Sequence, residues 1–182
     1  MKLDHVLIAV PDLDAEQELV SVEGGRHPGW GTANRIVPLG DAYLELVAVV
    51  DGVEAAGNPF GRWVAESNGP FAWAVRTDDL DAVAERLGLV IGAGSRARPD
   101  GTMLRWRSAG IEQAAAEPLL PFFIQWEEGT VLPGQAGAPQ GRLQELRLRG
   151  EASHLDDWLG PHDLPVVVAA GEPGVDSFAI TR

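Results

Sequence analysis

The chain repeats a short pattern, and that repeat limits its possible folds more than any other feature. Val10-Pro11-Asp12-Leu13-Asp14-Ala15 returns as Thr77-Asp78-Asp79-Leu80-Asp81-Ala82. Each copy follows a short apolar run, residues 3–10 and 71–76, bounded by turn residues and read as a strand. Each copy also opens with an acidic residue suited to cap a helix, Asp12 and Asp79. The second copy continues with Leu80, Val83, Ala84 and Leu87 at helical spacing and stops at Gly88. Further strands follow each helix: 34–38 and 42–50 in the first copy, 103–107 and 121–126 in the second. Short strands with one helix per unit predict an α+β fold and not a doubly wound parallel sheet. The expected boundaries are a first module over 1–67, a second over 68–128, a Gly/Pro/Gln-rich linker over 129–141 and a tail over 142–182. All four belong to one compact domain. In the tail, Leu143 to Arg149 alternates like a half-exposed strand, 153–159 reads as a helix, and 165–170 and 175–181 read as two closing strands.

Two polar residues interrupt the strands of the first unit. His5 lies within Leu3 to Val10 and Glu45 within Tyr43 to Val50. A carboxylate inside such a strand is expensive to bury unless a cation or hydrogen-bond donor meets it. Alternation places His5 on one face with Leu3, Leu7 and Ala9, and Glu45 on one face with Tyr43 and Val47. If both faces line one hollow, the pair converges as half of a metal site or as an acid–base pair. His27 lies in a Gly-rich loop near Thr32 and Asn34, an arrangement that suits an active-site lip or simple turn capping. Arg105 and Arg107 share one face of a strand, where they would either clamp an anion or sit in solvent. Trp30 and Trp126 could wall an apolar cavity.

Composition excludes several classes. There are no cysteines, hence no disulfides, thiolate ligands or cysteine nucleophile. The formal net charge of −13 repels nucleic acid and anionic membranes. No apolar stretch approaches a membrane span, and Asp4 and His5 stand where an export signal needs apolar residues. A soluble, cytoplasmic protein with a small-molecule ligand is the expectation.

Leu3-Asp4-His5-Val6, Asp12-Leu13-Asp14 and Tyr43-Leu44-Glu45-Leu46 resemble the vicinal oxygen chelate superfamily of glyoxalase I, ring-cleaving dioxygenases and bleomycin-resistance proteins. The segments 24–35, 58–63 and 120–126 are similar to its bacterial glyoxalase-like subgroup. The resemblance implies tandem βαβββ modules whose curved mixed sheets hold ligands in their concave face, here with a short β-α-β-β C-terminal extension. It also implies a divalent metal (Zn, Mn, Ni or Fe) held by His5, Glu45 and Gln125, with Ala72 where a further ligand would stand. The expected function is a metal-dependent lyase or isomerase acting on a small oxygenated metabolite. Glu45 and His27 would be catalytic, and Thr32, Asn34, Arg105 and Trp126 would contact substrate. The other reading is a non-catalytic binding or sequestration protein of the bleomycin-resistance type, without metal. Superfamily members often pair modules between chains, so a homodimer is left open.

Overall fold

The computed structural model describes residues 1–15 and 18–181. Eight strands form one sheet in the order β2-β3-β4-β1-β5-β8-β7-β6. They are β1 (Lys2–Ala9), β2 (Val22–His27), β3 (Thr32–Leu39), β4 (Ala42–Val49), β5 (Gly69–Arg76), β6 (Ile91–Ala97), β7 (Met103–Ala109) and β8 (Phe122–Trp126). β1 pairs in parallel with β4, and β5 in parallel with β8. The two halves have mirrored strand orders and join through the antiparallel pair β1–β5. The sequence echo is therefore a repeat of topology.

The sheet curls until its two edge strands meet. The buried Arg96 guanidinium of β6 donates from Nη1 to the Gly24 carbonyl of β2, and Gly25 lies against the Ala97 carbonyl. The concave face lines the hollow inside this near-barrel.

The second half contains the expected helix, α3 (Leu80–Leu87), capped by the Asp79 side chain on the Ala82 N–H at 3.0 Å. The first half differs from expectation. No helix forms among the described residues between β1 and β2, and Asp12 instead accepts from the Asp14 N–H at 2.9 Å in a local turn. The cause is visible in the sequence. Three and four positions beyond Leu80 stand Val83 and Ala84, but the same steps beyond Leu13 reach Glu16 and Gln17. Without an apolar stripe, a cap alone does not hold a helix. Three helices were not foreseen from the sequence: α1 (Gly52–Gly57) and α2 (Pro59–Glu66), which connect the halves, and α4 (Ile111–Ala116), between β7 and β8. Asp51 caps the first and Asn58 the second, where Pro59 occupies the first turn.

Opposite faces of the sheet bury different cores. The outer face presents Val6, Leu44, Trp73 and Phe123 to α3 and to the tail. The tail runs β9 (Arg142–Arg149), α5 (Ala152–Leu159), β10 (Val166–Ala169) and β11 (Gly174–Thr181), with its strands in the order β10-β9-β11. Its Leu146, Leu148, Leu155 and Leu159 complete that core. The inner face presents Leu7, Val47, Ala72, Phe122 and Ile124, covered at one side by Phe60 and Val64 of α2. Neighbouring residues such as Val6 and Leu7, or Phe122 and Phe123, thus go to opposite cores, as the pleat requires.

Candidate functional site

The inner face holds a small polar centre among aromatic rings. The parallel register sets His5 of β1 opposite Tyr43 of β4, and Leu7 opposite Glu45. His5 stacks on the Tyr43 ring with centroids 4.6 Å apart. Its Nε2 stands 3.5 Å from Glu45 Oε2. His27, the last residue of β2, faces the other carboxylate oxygen, with Nε2 3.6 Å from Oε1. Asn34 of β3 donates from Nδ2 to Glu45 Oε1 at 2.7 Å. One buried carboxylate is thus held by two imidazoles and an amide.

Each imidazole is oriented from behind. His5 Nδ1 lies 2.9 Å from Asp4 Oδ2, and His27 Nδ1 lies 2.9 Å from Thr32 Oγ1. These contacts leave both Nε2 atoms directed at Glu45. Asp4 is buried and also accepts from Arg76 Nη1 and Trp126 Nε1, each at 3.2 Å. A β-bulge makes this possible. The β1–β5 register shifts between Leu3 and His5, so Asp4 is the extra residue. The bulge corrects one expectation: Leu3 packs in the outer core, while His5 lines the inner cavity with Leu7.

Electrostatics favour an ionised Glu45. Burial alone would push its carboxyl up, but His5, His27, the Asn34 N–H and Arg96 outweigh burial and hold it below the ordinary glutamate value. Burial pushes the His27 imidazole down, and Glu45 offsets only part of that. Burial, reinforced by Asp4 and Glu45, pushes the Tyr43 phenol well up. The cavity measures about 40 Å3, room for a few waters. Its apolar walls include Trp30, Phe60, Trp106, Phe122 and Trp126.

Of the residues expected at the site, His5, His27, Asn34, Glu45 and Trp126 line this one cavity. Three are placed elsewhere or act differently. Gln125 shares the outward face of β8 with Phe123, where its Oε1 accepts from Arg107 at 2.6 Å and its Nε2 donates to the Asp78 carbonyl at 2.8 Å. The same alternation that turns Ile124 and Trp126 inward turns Gln125 away from His5 and Glu45. Arg105 is exposed and reaches Glu127 at 3.8 Å. Thr32 is fully buried and holds His27, not the cavity. Ala72 lies opposite Leu7 on the inner face. Asp4, Tyr43 and Arg96 were missed. Arg96 had no readable signal, because β6 is Gly- and Ala-rich and Arg96 is its one buried residue.

The expected divalent metal does not fit these residues as they stand. Among the described residues, no group of three or more His, Asp or Glu is arranged to hold an ion. The Asn34 NH2 stands 2.7 Å from Glu45 and 3.3 Å from His27 Nε2, a donor where a cation would need lone pairs. No helix among the described residues is long and apolar enough to cross a membrane.

A family model described as a glyoxalase-like domain matches residues 3–159. No curated protein matches. Among solved structures, a hypothetical protein from Staphylococcus aureus is similar over 96% of this chain and 88% of its own, with a TM-score of 0.75 at 17% identity. Methylmalonyl-CoA epimerase from Mycobacterium tuberculosis is similar over 70% of this chain and 88% of its own, with a TM-score of 0.48 at 22% identity.

Proposed function

The chain belongs to the glyoxalase-like domain family of the vicinal oxygen chelate superfamily, and from that premise we propose that it is an isomerase- or lyase-type enzyme for a small oxygenated metabolite. In this reading Glu45 takes a proton from a carbon next to a carbonyl. The observation that carries it is the buried Glu45 carboxylate, 6% exposed, set between two imidazoles whose far nitrogens are fixed. A base must be ionised, dry and positioned within reach of its proton. Glu45 is held in its ionised form by its neighbours and is walled by aromatic rings.

The chemistry balances without an outside reactant. Glu45 accepts the proton, and the C–H electron pair passes into an enolate. An imidazole that takes the proton on from Glu45 then has an Nε2–H to offer the new oxyanion. Return of the proton to the same carbon or its neighbour gives the isomer; loss of a leaving group from the enolate gives a lyase. His5 and His27, 3.5 and 3.6 Å from the two carboxylate oxygens, are placed to take the proton on or give it back.

The test is deuterium exchange in D2O with chelator present, followed by NMR over a panel of small keto acids and hydroxy-carbonyl compounds. At least one compound should exchange, and Glu45→Gln should slow it by about 100-fold or more, the usual contribution of a general base. Exchange that survives in Glu45→Gln, or appears with no compound, overturns the reading. Zn2+, Mn2+, Ni2+ or Fe2+ that raises the melting temperature, with the rise lost in His5→Ala, would restore metal dependence. A second reading, sequestration without turnover, is favoured by β5 and β8, whose inward Ala72, Ala74, Phe122 and Ile124 bring no polar side chain. Saturable binding with no exchange would select it.

A further inference from the structure

We propose that Arg96 is the anion-binding, specificity-determining residue of this cavity, and that the ligand carries a carboxylate. The inference names the substrate class for the reading above and rests on it. Arg96 is 4% exposed and lines the same cavity as His5, Asn34 and Glu45. Surface arginines such as Arg26, Arg107 and Arg149 each have a carboxylate at ion-pair distance. Arg96 has none among the described residues. Its one described hydrogen bond goes from Nη1 to the neutral Gly24 carbonyl. A guanidinium has five N–H donors, so most of its capacity remains to be used.

A buried cation without a counter-charge is costly, and an anion that enters recovers that cost. Burial lowers the guanidinium's proton affinity here, partly offset by Tyr43 and Glu45. Glu45 is occupied by its own donors: Asn34 holds it, and both imidazoles face it. The cavity is therefore lined both by a carboxylate that has its own donors and by an arginine with no carboxylate at ion-pair distance among the described residues. A substrate carboxylate on Arg96, in two parallel N–H···O contacts, directs the rest of a short molecule toward Glu45.

Binding is measured without turnover, by NMR titration of the Trp106 and Trp126 indole N–H signals with acetate, its neutral isostere acetamide, and inorganic phosphate. Acetate should bind at least tenfold more tightly than acetamide. Arg96→Gln should erase that preference, and Arg96→Lys should keep part of it. Equal binding of acetate and acetamide to the wild-type protein overturns the proposal, a comparison that holds even if Arg96→Gln fails to fold. Phosphate binding without acetate binding also overturns it. Acetate preference together with absent deuterium exchange keeps this inference and removes the enzymatic reading, so the two failures are distinguishable.

Discussion

Glu45 and His27 make the protein sensitive to acid, and the sign follows from their surroundings. Both bind protons less readily folded than unfolded, Glu45 because its neighbours outweigh burial and His27 because burial dominates. A group with a depressed folded value contributes stability that is present above its unfolded value and lost as the pH falls through the folded one. The loss therefore begins below the ordinary imidazole value with His27 and continues below the ordinary glutamate value with Glu45. Urea unfolding at pH 7, 5.5 and 4 should show stability falling at each step, and His27→Gln should flatten the first step. Equal stability at pH 7 and 5.5 would contradict the buried, proton-poor imidazole. At this scale the sequence was partly legible. A histidine and a glutamate interrupting apolar strands flagged the pair, because buried polar groups demand partners. Of their partners, Asn34 was flagged and Asp4 was not, and Arg96 was missed, since nothing in a Gly-rich strand says whether its one arginine turns inward.

The strands position these groups through close contacts that a side chain would block. A Cβ on Gly24 of β2 would run into Asn34 Oδ1. Asn34 can reach Glu45 only because β2 presents no side chain there. Gly24→Ala should cost about 1–3 kcal/mol from overpacking. It should also push Asn34 off Glu45, removing a hydrogen bond that lowers the carboxyl, so the Glu45 titration moves up in pH. Carbon-13 NMR of the Glu45 carboxyl checks the shift, and an unchanged titration counts against the contact. A related contact shapes the far wall, where the Trp106 ring lies over Gly94 at a distance no Cβ would permit. Among the elements, α3 was legible because its cap and its apolar stripe agree. The same cap at Asp12 misled because no stripe follows it. α1 and α2 were missed because each is short and is defined by its caps, Asp51 and Asn58, more than by periodicity.

At the scale of the whole molecule, two cores divide the labour. The outer core, shared by the main sheet and the tail, carries stability, and the inner core shapes the cavity. Leu148 of β9 is fully buried in the outer core, on the opposite side of the sheet from Glu45. Leu148→Ala should therefore lower stability by about 2–5 kcal/mol while leaving acetate binding within about twofold in the folded protein. Urea unfolding and the indole titration together check this, and a large loss of binding would show that the two cores are coupled. The repeat in the sequence indicated the two halves because both must bury the same strand faces. The closure of the sheet at β2 and β6 was not legible, because it depends on curvature summed over eight strands.

The bulge at Asp4 has one more consequence. A regular strand has a single phase of alternation, fixed along its length, but β1 has two, which meet at residue 4. Strict alternation through residues 3 to 7, with no extra residue, would merge the phases and put Leu3 on the same face as His5 and Leu7. A greasy side chain and an imidazole would then compete for the same side. The site thus depends on where the strand breaks its rhythm, and the residue at the break, Asp4, is the one that holds His5.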